Sequence, residues 1–404
     1  MTTESTHALT ANERRKTIIA LLSSAFIIGV ALGGLAPMLA LVMEAQGVST
    51  LMIGFNSAMS GIGVISTTTL APLVIKRLGP FTAQLLGYGI IFTAILLFPL
   101  FTQLPVWFGL RFLMGVGLAM PWVVSETWLN LVTPTASRGR IMALYTMILA
   151  LGFAAGPLVV AVIGSNGALP YLIYAAFVGL SALPFFWIRH LVPDMDVSPH
   201  TRLGGLAAAA PTIFGAAMLS GLTDAATFSF LPLYGLRVGF EESYAVTLLS
   251  LFLAGNLLLQ YPIGWLADHF SRRGALLFCA GACTLGPALV PIIYQSPLLL
   301  GVVLFVWGGG AWAIYGVALT MLGDRFPGGQ MTAANAAFIM AFEAANIIGP
   351  PASGYAITLW APHGLMFFLA ATAALYFALT AGRGVVHSLG KKGKAAFNYP
   401  TRLD

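Results

Sequence analysis

The sequence predicts an all-α membrane protein, with twelve transmembrane helices in two six-helix bundles related by a parallel internal repeat. Three observations carry this. Hydrophobic residues make up 58% of the 404-residue chain and charged residues only 8%, which leaves too little polar surface to coat a soluble domain of this size. Apolar stretches long enough to cross about 30 Å of hydrocarbon recur along the whole chain. The second half also repeats the first. Gly115-Val-Gly117 falls on Gly308-Gly-Gly310, Trp122 on Tyr315, Pro134 on Pro327 and Gly156-Pro157 on Gly349-Pro350, each at an offset of 193, while segment 72–79 falls on 264–271 at an offset of 192.

The spans run over 17–43, 50–74, 81–102, 105–132, 140–163 and 168–188 in the first half. In the second half they run over 208–235, 243–267, 274–294, 297–323, 331–358 and 362–382. Residues 1–188 form one bundle, 189–207 a cytoplasmic linker holding Pro193, Asp194, Asp196, Pro199 and Arg202, and 208–404 the second bundle with a basic tail. The 45 glycines and 23 prolines suit helices that approach closely and bend, since small residues line membrane helix contacts and Pro kinks are tolerated there.

Charge follows the spans in order. Arg14, Arg15 and Lys16 precede span one, Lys76 and Arg77 separate spans two and three, and Arg138 and Arg140 separate four and five. Arg189 and Arg202 lie between six and seven, Arg272 and Arg273 between eight and nine, Arg325 between ten and eleven, and Lys391, Lys392 and Lys394 after twelve. The other loops carry one basic residue, Arg237, beside Glu241 and Glu242. Positive residues stay on the cytoplasmic side of short loops, so both termini are expected inside, in the inner (cytoplasmic) membrane of a bacterium. The net charge of +6 is then a topology signal, and nucleic acid is not an expected partner. Span one, about 27 residues leading into a multi-span chain, reads as a signal anchor.

No His-Glu-x-x-His, Ser-Lys or Gly-x-Ser-x-Gly constellation lies in the spans, so an enzyme is not expected, and neither is a cofactor. Cys279 and Cys283 sit one helical turn apart; with no His or carboxylate beside them they read as packing residues rather than metal ligands. A parallel duplication in a membrane chain is an arrangement in which one half rocks against the other around a central site.

Several motifs carry a family resemblance. Gly264-Trp-Leu-Ala-Asp268-His-Phe-Ser-Arg272-Arg273-Gly resembles the loop signature between the second and third helices of each half in the major facilitator superfamily. In the first-half copy Pro72 replaces the glycine and Lys76 the aspartate, while Arg77 and Gly79 survive. The resemblance implies the superfamily's fold and a cytoplasmic latch built from Asp268, Arg272 and Arg273, with Gly264 allowing close helix packing. Glu126, one and a half turns from the cytoplasmic end of span four, supplies the missing carboxylate to Arg77, or serves substrate or proton, or snorkels to the surface. Leu110-Arg111-Phe-Leu-Met-Gly115-Val-Gly117 is similar to the superfamily's fourth-helix signature, whose arginine is associated with proton coupling. Arg111 and Glu126 are too far apart to pair, about 22 Å along the helix axis. Gly152-Phe-Ala-Ala-Gly156-Pro157 resembles the core of the antiporter signature of span five, though Val160 and Ala161 stand where a glycine pair is expected. The run Ser125-Glu-Thr-Trp128-Leu-Asn130 is similar to a poorly characterised bacterial branch.

Asp224 and Glu343 lie near midplane, each about 18 Å from a helix end at 1.5 Å per residue. Desolvation disfavours the charged form of such groups, which makes them candidates to load and release protons, or alternatively neutral acids tying helices together. Ser220, Thr223 and Thr227 share a stripe with Asp224, and Asn346 shares one with Glu343. Trp122, Tyr145, Phe153, Phe228, Trp312 and Tyr315, with Asn346, are the candidate cavity lining, suited to an apolar or aromatic solute. The expectation is a monomeric secondary carrier of a small organic molecule, working by alternating access and exchanging it for protons in export. Proton-coupled uptake of a metabolite or vitamin is the alternative, and a non-transporting receptor or scaffold is the alternative of another class.

Overall fold

The computed structural model describes residues 10–68, 70–134, 137–193, 195, 210–269, 271–326 and 330–396. Among these the chain is helical throughout. The first half holds α1 (Ala11–Ala45), α2 (Thr50–Thr68), a short α3 (Ala71–Leu78), α4 (Pro80–Leu97), α5 (Leu104–Val132), α6 (Arg138–Ile163) and α7 (Leu169–Trp187). The second holds α8 (Pro211–Arg237), α9 (Glu242–His269), α10 (Arg272–Ile293), α11 (Pro297–Arg325), α12 (Gln330–Leu359) and α13 (Gly364–Ala396). The linker segment lies mostly outside the described residues, as do Asp194, Asp196, Pro199 and Arg202. The basic tail continues α13 as far as Ala396.

Local chemistry sets the helix ends. Thr10 and Glu13 close a capping box on α1, with the Glu13 amide donating to Thr10 Oγ1 at 3.2 Å and the Thr10 amide to Glu13 Oε2 at 2.9 Å. Ser271 caps α10 by accepting from the Gly274 amide at 3.1 Å. Proline opens α3, α4, α5, α7, α8 and α11, where its missing N–H has no partner to lose. Interior prolines such as Pro121, Pro157 and Pro232 stand inside unbroken helices. The expected break falls elsewhere: span two, read as continuous over 50–74, divides into α2 and α3 because Pro72 starts a new helix. Gly79, which closes α3, has φ +79°, a left-handed conformation that favours glycine.

The internal repeat is legible atom by atom. A Cβ on Gly29 would meet the Leu149 carbonyl at 2.7 Å, and its counterpart Gly221 sits on the carbonyl of Phe342. Gly63 sits on Phe112 and Gly255 on Phe305; Gly115 sits on Ser60 and Gly308 on Phe252. Counterparts are 192 apart on spans one and two and 193 apart on spans four and five. Small residues here allow backbone-to-backbone packing that an apolar solvent cannot otherwise drive. Within each bundle, α1 packs on α6 as α8 does on α12, α2 on α5 as α9 on α11, and α4 on α5 and α7 as α10 on α11 and α13. Trp107, Trp128, Trp307, Phe185 and Phe252 fill the bundle interiors, with Phe98–Trp107 and Phe252–Trp307 as edge-on pairs at 5.0 Å.

Among the described residues, ten helices are long and apolar enough to cross a membrane. α2 and α12 carry Ser, Thr, Gly and Asn among their apolar residues, and they pack on each other across the bundles. Their counterparts α6 and α9 form the second inter-bundle contact. The contacts that join the bundles gather in the half away from the termini. Thr50 Oγ1 donates to the Gly354 carbonyl at 2.9 Å, Gly54 meets the Pro350 and Pro351 backbone, and Arg237 Nη2 and Nε donate to Glu44 Oε1 at 2.7 and 2.9 Å. At the terminus-bearing end Lys76, Arg77, Asp268 and His269 are exposed.

Candidate substrate cavity and coupling residues

In the first bundle α1, α4, α5 and α6 line a small cavity of about 20 Å³, walled by Ile28, Tyr88, Trp122, Ser125, Tyr145 and Phe153 among others. Three of the expected lining residues, Trp122, Tyr145 and Phe153, therefore meet. Phe153 stands edge-on to Phe228 of α8 at 5.7 Å, which brings the second bundle to the same place. There Tyr315 packs on Phe338 and Phe342 at 4.9 and 5.2 Å.

Two acids of the second bundle come together. Asp224 on α8 lies within electrostatic reach of Glu343 on α12 and beside the Trp312 indole, and Asn346 hydrogen-bonds Glu343. Asp224 Oδ1 and Trp312 Nε1 each lack a well-formed hydrogen bond. The polar stripe read around Asp224 spends its hydroxyls elsewhere. Ser220 donates to the Ala311 carbonyl at 3.0 Å, and Thr227 to Thr223 O and Asp224 O at 2.8 and 3.0 Å. Hydroxyls inside helices back-bond to nearby carbonyls, so Ser220 and Thr227 do not serve the Asp224 carboxyl.

Glu126 points to the same region. The Trp122 indole reaches it, and it is within electrostatic range of Tyr145 and Tyr315, the latter also near Glu343. Among the described residues it has no ion pair with Arg77. Arg111 is 6% exposed, with Nε and Nη1 unpartnered, in the bundle interior; its counterpart Leu304 is fully buried.

The latch residues are apart in this conformation. Arg272 is ion-paired to Asp324, and Arg273 Nη2 donates to the Thr380 carbonyl at 2.7 Å, both within the second bundle. Asp268 makes no ion pair among the described residues. The close packing expected at Gly264 is absent: a Cβ there would meet nothing within 4 Å, because the surrounding helices are separated at this end. Cys279 and Cys283 are both free and buried in α10.

Two features escaped the sequence reading. One is the Glu44–Arg237 pair; Arg237 stands out as the lone basic residue of its loops, but nothing local identifies a partner 193 residues away. The other is a buried polar chain joining α1, α4, α5 and α7. Ser24 Oγ lies 2.8 Å from both Tyr88 Oη and the Ser181 carbonyl, and Gln84 Nε2 is 3.1 Å from Tyr88 Oη and from Ser125 Oγ. Its members are scattered among apolar residues with no common spacing.

A family model described as Major Facilitator Superfamily matches residues 21–251 and 213–398. The Uncharacterized MFS-type transporter YfkF of Bacillus subtilis is 26% identical over 373 residues, 88% of this chain and 93% of that relative. A mutant of the nucleoside transporter NupG shares the fold with a TM-score of 0.77 at 15% identity, covering 91% of this chain and 99% of that one. A D-xylose-proton symporter does so with 0.70 at 16% identity, covering 92% and 97%. Two six-helix bundles repeating in parallel around a central cavity, and a family model that covers nearly all of them, place the chain in the Major Facilitator Superfamily as a secondary transporter and not an enzyme.

Proposed function

We propose that this transporter couples protons to the export of a small apolar or aromatic organic molecule, with both termini in the bacterial cytoplasm. The supporting observation is the mutual approach of the membrane acids and the aromatic residues: Tyr315 lies within electrostatic range of both Glu126 and Glu343, Asp224 of Glu343 and beside Trp312, and Glu126 of Trp122 and Tyr145. Carboxyls held in a membrane interior carry protons at low cost only when neutral, so loading and release can be tied to which side the cavity faces. Basic loops at the terminus-bearing end favour the cytoplasm there. The conformation, joined at the far end and separated at the terminus-bearing end, then presents the cavity inward. The likeness in fold to a D-xylose-proton symporter is in keeping with the proton as driving ion. Export is favoured over uptake by Gly152 and Gly156, the core of the antiporter-like segment, which seal α6 on the backbone of α1.

The test is proteoliposome transport of ligands first ranked by the thermal shift they give the purified protein. Asp224→Asn with Glu343→Gln removes titration while nearly preserving shape. An imposed pH gradient should no longer drive accumulation, whereas substrate exchange down its own gradient persists. A double variant that still pumps on a pH gradient sinks the coupling assignment.

A further inference from the structure

Positive charges crowd the terminus-bearing end of α1 and α7 with no acid paired to them. Arg14, Arg15 and Lys16 stand at the start of α1, and Arg189 follows Trp187, the last residue of α7, by two positions. α1 packs on α7, and Lys16 Nζ ties the two ends together by sitting over the Trp187 ring, 6.0 Å from its centroid. Among the described residues none of the four basic groups makes an ion pair, and Arg14 Nε is buried without a hydrogen-bond partner. Glu13 lies within electrostatic range of Lys16 and His190, but its Oε2 is spent on the α1 cap, accepting from the Thr10 amide and hydroxyl at 2.9 and 2.8 Å. Like charges gathered this way repel one another unless a counter-charge lies among them. The internal repeat supplies a contrast. At an offset of 192 the sequence has Leu206, Ala207 and Ala208 for Arg14, Arg15 and Lys16, and at 193 it has Thr380 for Trp187 and Gly382 for Arg189. Packing a first span on a sixth therefore does not require these residues.

The charges cap two lipid-facing stripes. On α1, Arg15 shares a helix face with Ile19 and Phe26, and on α7 Trp187 shares one with Leu180 and Leu183, all of them exposed. Exposure along a membrane span is contact with hydrocarbon, so a molecule that meets both the stripes and the charges is apolar at one end and anionic at the other. From this we infer that the α1–α7 seam binds an anionic phospholipid, its phosphate among Arg15, Lys16 and Arg189 and its acyl chains along Ile19, Leu180 and Leu183. Each Lys or Arg near an acidic headgroup is worth about fivefold in binding. Trp187 is a positioning residue: an indole at the interface sits at headgroup level, and its ring face holds the Lys16 ammonium beside it. A soluble phosphate would meet the charges alone, and the stripes give the lipid its advantage. The site lies on the lipid-facing side of the first bundle and does not depend on which solute is carried.

Native mass spectrometry of the purified full chain, with dioleoyl phosphatidylglycerol or dioleoyl phosphatidylethanolamine titrated into the detergent, reads the dissociation constant of the first lipid bound. The anionic phosphatidylglycerol should bind about tenfold or more tightly than the zwitterionic lipid. Lys16→Gln with Arg189→Gln should weaken phosphatidylglycerol about thirtyfold, two steps of about fivefold, and leave phosphatidylethanolamine unchanged. Arg138→Gln with Arg140→Gln removes two charges at the start of α6 and should leave the first lipid's affinity as it was. Lys16→Arg with Arg189→Lys should retain it, which separates lost charge from a lost fold. Trp187→Leu should weaken it about threefold, the worth of an exposed cation–π contact. Equal binding of the two lipids, or an unchanged affinity in the Lys16 and Arg189 glutamine pair, overturns the proposal. So does an equal loss in the α6 pair, which would report a diffuse surface attraction and no site. Displacement of the lipid by glycerol 3-phosphate overturns it as well, because the charges would then serve a soluble phosphate.

Discussion

Arg237→Gln should release the far end of the molecule. Arg237 on α8 and Glu44 on α1 belong to different bundles and meet at their helix ends, with two guanidinium donors converging on one carboxylate oxygen at 2.7 and 2.9 Å. The side chains are 27% and 26% exposed, so the pair is neither solvated nor buried. Unit charges about 4 Å apart attract by roughly 4 kcal/mol at an effective dielectric of 20 and about 1 in bulk water. Ordering two long side chains and stripping part of their water offsets some of this, leaving about 1.5 kcal/mol, close to tenfold in an equilibrium constant. The pair exists only while the far end is closed, so its loss is felt by one conformation alone. Spin labels on cysteines at Lys76 and His269, with Cys279 and Cys283 changed to alanine, report the separation of the bundles at the terminus-bearing end. The ratio of long to short distances should fall about tenfold in Arg237→Gln and in Glu44→Gln, with no further fall in the double variant. A ratio unchanged from the parent, or two effects that simply add, would refute the gate.

Asp268→Asn should move the same ratio the opposite way, because Asp268 makes no ion pair among the described residues with its end open and the latch reading gives it a partner on closure; an unmoved ratio counts against the latch. Gly255→Ala drives a methyl into the Phe305 carbonyl and should cost about 1–3 kcal/mol in thermal unfolding, while Gly264→Ala, facing open space, should cost little; equal melting temperatures would contradict the packing. A reporter fused after Lys394 and another within 189–207 should both read as cytoplasmic, and a periplasmic reading at either position breaks the twelve-span topology.

Spans were legible because the solvent writes them into the chain: a run such as 274–294 has no other use for so many apolar side chains, and the helix there covers Arg272–Ile293. The repeat was legible for a related reason, since backbone contacts at Gly115 and Gly308 tolerate nothing larger. The acids were visible as charges where charges are costly. What they face was not. Glu126 stood open between a latch partner, a substrate or proton site and a snorkelling acid because distance along a helix is known from sequence but azimuth relative to a neighbouring bundle is not, and the structure sets it toward Tyr145 and Tyr315. Hydroxyls near Asp224 looked like its partners for the same reason, until Ser220 turned out to serve the Ala311 carbonyl. Gly264 was read by its motif, and a motif records what a residue does over a whole cycle, not in one conformation.

The pairing of α2 with α12 bears on how the chain is made. Both spans carry Ser, Thr and Asn side chains among their apolar residues, and about 280 residues separate their first residues, Thr50 and Gln330. At about 5–20 residues per second of synthesis, α2 waits roughly 15–55 s before its partner leaves the ribosome. During that interval its Ser, Thr and Asn side chains can be shielded chiefly by α5 of its own bundle or by the insertion machinery. A chain stopped short of α12 therefore carries into the membrane a second helix whose partner face is uncovered, and quality-control proteases that extract such helices gain a substrate defined by where translation ended.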